Sequence, residues 1–299
     1  MYHQPALLHE CIEGLSINPS GIYADVTFGG GGHSREILKK LNTDGRLIAF
    51  DQDEDALSNT INDERFTLVN ENFRYLKNFL RLYKALPLDG ILADLGISSH
   101  QIDTPERGFA TRFEGPLDMR MARKQGSTAA EMINTYPEEK LYSVFKLYGE
   151  ISNARLLAST ITAARTNPIT TTNELKEAIK SCTPLTYESK YLAQVFQAIR
   201  IELNDEMGAL QAMLKQTADI LKPGGRLVVI SYHSLEDRLV KNYMKTGNFE
   251  GEQVKDFYGN VLTPLKQITR KPVTPSNAEL KSNPRSRSAK LRIAQKIES

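Results

Sequence analysis

The chain has 299 residues, of which 40% are hydrophobic and 25% charged, and its formal net charge is +2. This is enough for a full hydrophobic core in one large domain or two smaller ones, as in an ordinary soluble protein. The N-terminus lacks a basic region followed by a long apolar stretch, and the two cysteines, Cys11 and Cys182, lie far apart without a Cys-x-x-Cys or His cluster. We therefore expect a cytoplasmic protein with no membrane contact, no disulfide framework and no metal site.

The first predicted feature is a strand, loop and helix near the N-terminus. An apolar run stops at Asp25-Val-Thr-Phe-Gly-Gly-Gly-Gly-His-Ser34, and a second apolar run ends at Asp51. In nucleotide-binding α/β sheets such glycines let a ligand approach the backbone, and a carboxylate about twenty residues further on accepts hydrogen bonds from ribose hydroxyls. The sequence therefore predicts an adenosine cofactor site at Gly29 to Gly32 and Asp51. A glycine-rich turn without a ligand is the alternative.

The glycine spacing bears on the identity of the cofactor. A dinucleotide loop has a third small residue where the helix packs tightly, and that position falls on Ser34 or Arg35 here. No Gly-x-x-x-x-Gly-Lys-Ser/Thr sequence occurs, which argues against an ATP or GTP loop. S-adenosylmethionine contains adenosine but no phosphate, so it suits the bare loop and Asp51 best. Asp25 is a candidate partner for the ammonium or sulfonium end of that ligand.

Short apolar runs separated by amphipathic segments predict a parallel α/β sheet. Further strands are predicted at 47–50, 66–69, 88–95 and 227–232, and a helix over 207–221 ends at Pro223-Gly224-Gly225, before a strand that begins at Arg226. More than a hundred residues separate Leu95 from Met207, where a βαβ connection needs only a few tens. Helix-like segments fill this interval at 128–136, 138–148, 152–165, 172–182 and 191–203. We therefore predict a helical subdomain inserted after the fourth strand.

Chemistry is expected at the carboxyl ends of the strands, where Asp94 and Ser231-Tyr232-His233 should lie near the glycine loop. An exocyclic base amine needs an acceptor that orients it and takes its proton. Asp94 is the best candidate, although contact with the methionine end of the cofactor or capping of the following turn would also explain it. Methylation of a pyrimidine carbon needs a nucleophilic thiolate. Because neither cysteine lies at a predicted strand end, transfer to nitrogen or oxygen is favoured. His33 and His233 are further candidate bases, but each would equally serve as a hydrogen-bonding group at a helix start.

The C-terminal segment is strongly basic. Between Lys266 and Lys296 it carries nine Lys or Arg and one acidic residue, Glu279, for a net charge of +8, which leaves −6 on the rest of the chain. This asymmetry favours contacts with phosphate groups, and a solvated basic tail is the alternative. Ser234 is predicted to cap a helix, and residues 289–297 are predicted to form a final, antiparallel edge strand.

Ordered motifs along nearly the whole chain resemble those of the bacterial 16S ribosomal RNA cytosine-N4 methyltransferases, which use S-adenosylmethionine. The matching motifs are His3–Glu10, Asp25–Ser34, Asp94–Gln101, Arg107–Phe109, Gly115–Met121, Phe196–Ile201, Ser231–Arg238 and Asn283–Arg292. Eight motifs in the same order and at compatible spacing make this resemblance specific.

The resemblance implies a Rossmann-like class I methyltransferase sheet with an inserted helical subdomain. We divide the chain into a first part of the methyltransferase core at 1–106, a helical insert for substrate recognition at 107–203, and a second part of the core with the basic segment at 204–299. Asp94 is the expected catalytic residue. The residues expected to contact S-adenosylmethionine, with Phe73 near the adenine, are Gly31, Gly32, His33, Asp51, Phe73, Asp94 and Gln101.

The resemblance also implies the partner, 16S rRNA within the small ribosomal subunit, and the target, a cytosine in its decoding region. One departure concerns RNA contacts. The family often has His-Pro-Ala-x-Arg before the motif that starts at Phe196, whereas this chain has Ser-Lys-Tyr-Leu-Ala-Gln-Val. Lys190 or Arg200 is the candidate replacement for that Arg. Asp118 in Gly115–Met121 is a second candidate acceptor in a substrate pocket, while Met119 and Met121 fit a packing role slightly better.

Three alternatives remain open at this point. The first is a methyltransferase that acts on DNA or on a protein amine, because the residues that bind the cofactor do not define the molecule that receives the methyl group. A non-catalytic RNA-binding ribosome assembly factor would keep the same fold, although the intact cofactor residues argue against lost activity. An NAD dehydrogenase is a distant third because of the glycine spacing. Monomer and homodimer are both compatible with the sequence.

Overall fold

The computed structural model describes residues 5–124, 126–259 and 262–298, so that His3 and Gln4 of the first motif lie outside the described residues. The chain divides into two compact units. The core unit is formed by the chain up to Gly96 and from Met207 onward, and the insert unit is Ile97–Glu206. The predicted insert, 107–203, starts ten residues later than this unit. Its assignment to substrate recognition stays a prediction.

Within the described residues, the core unit contains a sheet of seven strands in the order β3-β2-β1-β4-β5-β7-β6. The strands are β1 Ile22–Asp25, β2 Arg46–Phe50, β3 Phe66–Val69, β4 Leu88–Asp94, β5 Leu221–Ser231, β6 Leu265–Gln267 and β7 Lys290–Lys296. The first five are parallel, and β7 is antiparallel to both of its neighbours. The strand order reverses between β1 and β4, as in doubly wound nucleotide-binding sheets. The Rossmann-like α/β prediction is confirmed.

The predicted helices are present in both units. The helices are α1 Leu8–Leu15, α2 Gly32–Lys40, α3 Leu76–Leu82, α4 Ser99–Asp103, α5 Ala129–Thr135, α6 Glu138–Tyr148, α7 Ala154–Ala164, α8 Thr172–Ala178, α9 Glu188–Leu203, α10 Glu206–Ile220, α11 Ser234–Thr246 and α12 Asn277–Ser282. A bilayer-spanning helix needs about twenty apolar residues, and none of the helices among the described residues meets that requirement.

Both faces of the sheet are buried, which explains why its strands are continuous apolar runs rather than alternating ones. Ile91, Leu227 and Val229 belong to one apolar cluster, while the intervening Leu92 and Val228 belong to another. The insert unit has its own core, formed by the apolar faces of α5 to α9. Each unit therefore buries its own apolar surface.

The register of the sheet brings the carboxyl ends of the parallel strands to one edge. Asp25, the last residue of β1, pairs with Ala49 of β2 and with Leu92 of β4. Asp94, the last residue of β4, pairs with Ile230 of β5. Residues that follow these strands therefore lie side by side, as the topology requires of a ligand site.

Three local predictions were wrong. The last parallel strand begins at Leu221 rather than Arg226, because buried Leu221 already pairs with Leu88 before an irregularity that includes the glycines. The residue that caps α11 is His233, not Ser234, since the His233 side chain accepts the backbone N–H of Glu236. The final strand β7 is antiparallel as predicted, but β6 covers its outer side, so it is not an edge strand.

Candidate active site

The glycine loop joins the end of β1 to the start of α2. Gly29 and Gly31 have positive φ values of 50° and 74°, and Gly31 is the N-cap of α2. A Cβ on Gly31 would lie 2.9 Å from the ring of Phe28 and 2.7 Å from Nη1 of Arg35. This position therefore requires glycine for both its backbone conformation and its space. The loop presents backbone rather than side chains at the N-terminus of α2.

Asp51 follows β2 and holds the glycine loop. Its Oδ2 accepts the N–H of Gly29 at 2.7 Å, and its Oδ1 accepts the N–H of Asp53 at 2.9 Å. Burial raises the pKa of Asp51 to about 6, although both hydrogen bonds act in the opposite direction. A carboxylate has about four acceptor positions, so Asp51 keeps capacity for ribose hydroxyls. The structure thus brings the predicted ribose-binding residue into contact with the loop.

Asp25 is already engaged within the protein. Its side chain is 1% exposed, its Oδ2 accepts the hydroxyl of Ser34 at 2.6 Å, and its Oδ1 accepts the N–H of Thr27 at 3.2 Å. Burial raises the pKa of Asp25. The carboxyl group therefore connects β1 to α2, and its pairing with a cationic ligand stays a prediction.

His33 lies in the first turn of α2 and is buried. Its Nε2 lies 3.1 Å from the carbonyl oxygen of Ala6, which accepts only, so Nε2 carries the proton in this arrangement. Its Nδ1 lies 3.9 Å from Oδ2 of Asp94. Burial lowers the pKa of His33. The imidazole thus contacts Ala6 through Nε2 and faces Asp94 with Nδ1.

Asp94 is the last residue of β4, and it contacts the segments that follow β1 and β5. Its N–H donates to Oγ1 of Thr27 at 2.6 Å, and its Oδ1 accepts the hydroxyl of Tyr232 at 2.8 Å. Burial raises the pKa of Asp94 to about 7, the bond from Tyr232 lowers it, and the negative charge of Glu236 raises it. A carboxyl group with a pKa in this range is suited to act as a general base at neutral pH.

The turn between β5 and α11 positions Tyr232. Buried Glu236 accepts the N–H of Tyr232 at 2.9 Å and that of His233 at 3.4 Å. His233 completes a capping box with Glu236, which explains this histidine as a helix cap. The pair of Tyr232 and Glu236 was not assigned a role by sequence reasoning. The available signal was the glutamate three residues after His233, which is the spacing of a capping box.

Phe73 and Gln101 are the remaining side chains expected to bind the cofactor. Phe73 follows β3, is half-buried and packs against the core cluster. Gln101 lies on α4 in the insert unit, where its Oε1 accepts the N–H of Ser98 at 3.0 Å. The N–H of Gln101 in turn donates to Oγ of Ser98 at 3.2 Å, which completes a capping box. The contacts of both residues with a cofactor stay predictions.

The Gly115–Met121 motif is held inside the insert unit. Met119 and Met121 are buried in its core, as the packing interpretation predicts. Asp118 binds the guanidinium of Arg120 through both carboxyl oxygens, each at 2.9 Å. These contacts hold the pKa of Asp118 below its usual range. Buried Arg107 donates to the carbonyl oxygens of Arg120 and Met121 at 2.9 and 3.1 Å.

The two candidate RNA-contacting residues of α9, Lys190 and Arg200, differ in their contacts within the protein. The guanidinium of Arg200 donates to both carboxyl oxygens of Glu206, at 2.7 and 3.1 Å. Lys190 is exposed. Lys190 is therefore the more available of the two cations for a phosphate group.

The basic C-terminal segment has an internal and an exposed part. Buried Arg292 binds both carboxyl oxygens of Asp237 at 2.6 and 3.1 Å, and Lys296 donates to the carbonyl oxygen of Ala218 at 2.7 Å. The exposed cations of this segment are Lys266, Arg270, Lys271, Lys281 and Arg287. Part of the segment therefore stabilises the core unit, while the rest faces solvent.

The chain is similar to one family of proteins over nearly its whole length. The sequence model of the MraW methylase family matches residues 1–297. Ribosomal RNA small subunit methyltransferase H of Flavobacterium johnsoniae is 59% identical over 297 residues, which cover 99% of this chain and 98% of that protein. The proteins of the same name from Parabacteroides distasonis and Bacteroides thetaiotaomicron are each 57% identical, over 99% of this chain and 98% and 97% of their own lengths.

Proposed function

Because the chain belongs to the MraW methylase family, we propose that it transfers a methyl group from S-adenosylmethionine to N4 of a cytosine in the decoding region of 16S rRNA. The observation that carries this proposal is the position of Asp94. It lies at the carboxyl edge of the sheet, with its pKa raised to about 7, in the same unit as the glycine loop and Asp51. The names of the relatives support rRNA as the substrate class.

The residues present fit S-adenosylmethionine. Residues 29–32 are all glycine and lie at the N-terminus of α2, so a ligand could approach the loop without meeting a side chain there. Asp51 would bind the ribose, while Gly32, His33, Phe73 and Gln101 would complete the site by resemblance to the family. When bound, S-adenosylmethionine supplies an activated methyl group and its own leaving group. The protein then has to orient the acceptor and accept one proton.

Asp94 would perform both tasks. Its Oδ1 is occupied by the hydroxyl of Tyr232, so Oδ2 is the oxygen that would accept a hydrogen bond from the cytosine amine. That bond would point the nitrogen lone pair toward the methyl group, and Asp94 would then take the amine proton. His33 Nδ1 lies 3.9 Å from the same oxygen, beyond hydrogen-bond distance, so it leaves Oδ2 available to the amine. Most of the rate acceleration would come from positioning.

The rRNA would be held through its phosphates. Exposed Lys281 and Arg287 precede β7, whose first residue, Lys290, pairs with Ser231 at the carboxyl end of β5. These cations therefore lie at the same edge of the sheet as Asp94. The insert unit would supply further contacts, and the target cytosine would be unstacked to reach Asp94.

The test measures transfer of labelled methyl from S-adenosylmethionine to small ribosomal subunits that lack the modification, followed by nucleoside mass spectrometry of the rRNA. We expect N4-methylcytosine at one site, and transfer at least about a hundredfold slower with Asp94→Asn. Naked 16S rRNA, DNA and ribosomal proteins are tested in parallel. Methylation of DNA or of a ribosomal protein in place of the rRNA would reject the proposed substrate, whereas methylation of naked 16S rRNA alone would keep the substrate and reject the assembled subunit as its form. Cofactor binding without transfer to any acceptor would favour a ribosome assembly factor.

A further inference from the structure

The backbone N–H and one carboxyl oxygen of Asp94 are held by hydrogen bonds, and its other carboxyl oxygen faces the site. The backbone is held by Thr27, whose Oγ1 accepts the N–H of Asp94 at 2.6 Å. One carboxyl oxygen is held by Tyr232, whose hydroxyl donates to Oδ1 at 2.8 Å. Within the described part of the chain, the other oxygen has His33 Nδ1 at 3.9 Å, beyond hydrogen-bond distance. Among the described residues, the side chain that sets the carboxyl plane is thus Tyr232.

Tyr232 is itself held at both ends. Its half-buried ring packs against the apolar cluster that contains Leu92 and Ile230, and its backbone N–H donates to buried Glu236 at 2.9 Å. Glu236 lies in the first turn of α11, where its capping box with His233 fixes the turn after β5. A side chain fixed in this way by packing and a hydrogen bond positions its partner precisely, because it has little rotational freedom left to lose.

We propose that Tyr232 is the positioning residue of the methyl-transfer site, which holds Oδ1 of Asp94 so that Oδ2 alone faces the amine to be methylated. The inference rests on the proposed function, because it assigns Tyr232 its role through Asp94. A carboxylate with two free oxygens can rotate and bind the amine in several orientations, of which few align the nitrogen lone pair with the methyl group. The bond from Tyr232 removes this freedom before the substrate arrives.

The hydroxyl of Tyr232 also acts on the protonation of Asp94. A phenol that donates to a carboxyl oxygen favours the ionised carboxylate, which is the form that accepts the amine hydrogen and proton. The other titratable groups that interact with Asp94 are Glu236, Asp25, His33 and Cys11, and Glu236 opposes ionisation. Loss of the hydroxyl therefore leaves the carboxyl group both free to rotate and more strongly protonated.

Tyr232→Phe tests the proposal in the full-length protein, with Tyr243→Phe as the matched control. Tyr243 is a buried tyrosine on α11, so the control removes a phenol hydroxyl of the same unit away from Asp94. The measurements are kcat and KM for methyl transfer, and the titration of the Asp94 carboxyl carbon by NMR of protein with labelled aspartate. The Asp94 signal is assigned with Asp94→Asn.

For Tyr232→Phe we expect kcat to fall about tenfold or more, KM for S-adenosylmethionine to stay within about twofold, and the pKa of Asp94 to rise by about one pH unit. Tyr243→Phe should change none of these values. An unchanged kcat in Tyr232→Phe overturns the proposal, whatever the titration shows. A lower kcat with an unmoved titration also overturns it, because Tyr232 would then act on the substrate directly. Absence of transfer by the unmodified protein refutes the proposed function itself.

Discussion

At the scale of single residues, the two aspartates of the proposed site, Asp51 after β2 and Asp94 at the end of β4, lower the stability of the folded chain. Burial raises the pKa of Asp51 to about 6 and that of Asp94 to about 7. Both groups therefore ionise in the folded protein only at a higher pH than in the unfolded chain. Hydrogen bonds from Gly29 and Tyr232 recover part of the lost hydration. Burial of these carboxyl groups lowers the free energy of unfolding, and it also raises their pKa values toward the range that a proton acceptor needs at neutral pH.

Asp94→Asn should slow methyl transfer and stabilise the fold at alkaline pH. The pKa of Asp94 rises from 3.8 to about 7 on folding. The folded state therefore binds the extra proton between these values, and the carboxyl group reduces stability progressively as pH rises through this window. The amide pays no such cost, and it can still accept the hydroxyl of Tyr232. The free energy of unfolding of the variant, relative to the unmodified protein, should rise by up to about 3 kcal/mol between pH 5 and pH 8.

Urea denaturation at the two pH values measures this difference. Asp44→Asn, which changes an exposed aspartate before β2, is the control and should show no comparable gain. Activity of Asp94→Asn should fall about a hundredfold or more, since the variant cannot accept the proton. Equal stability of Asp94→Asn and unmodified protein at pH 8 would contradict the burial argument.

At the scale of elements, the glycine loop owes its shape to backbone conformations that other residues adopt at a cost. Gly31 has φ of 74°, and a Cβ there would collide with Phe28 and Arg35. Gly224, within β5, has a similar φ of 82°, but a Cβ there would meet only Nε2 of Gln295, at 3.6 Å. The two positions share the conformational requirement and differ in crowding.

Gly31→Ala and Gly224→Ala therefore form a matched pair. Both should lose about 1–2 kcal/mol of stability because alanine is strained at positive φ. Gly31→Ala should lose more, since its Cβ also displaces buried Phe28, and it should weaken S-adenosylmethionine binding about tenfold or more by calorimetry. Gly224→Ala should keep the affinity within about twofold. Equal affinities of the two variants would mean that the loop backbone is not the binding surface.

The elements also show what the sequence could and could not predict. Apolar runs and helical spacing predicted the parallel strands and the helices of the insert, because each pattern reflects burial within one element. The strand from Leu221 and the inner position of β7 depend on pairing with distant segments, Leu88 and Leu265, which a local pattern does not contain. Asp94 was found from its place at a strand end. Its bond to Tyr232 was not, because side-chain direction follows from the turn that Glu236 caps.

At the scale of the whole chain, the small net charge of +2 conceals a basic segment of +8 against −6 elsewhere. The structure separates this segment into two roles. Arg292 is buried against Asp237, so it serves the fold. Lys281 and Arg287 are exposed just before β7, at the edge of the sheet that holds Asp94. Only the exposed cations can release counterions when a polyanion binds.

Lys281→Glu and Arg287→Glu, singly and combined, should weaken binding to small ribosomal subunits without lowering the melting temperature. Each lost phosphate contact should reduce the slope of log affinity against log salt by about one. Lys245→Glu makes the same charge change in the last turn of α11, whose first turn follows the carboxyl end of β5, so the control lies toward the opposite edge of the sheet. It should leave both affinity and slope unchanged. If the combined variant keeps the unmodified slope, the exposed cations form a solvated tail, and the rRNA is held by other residues.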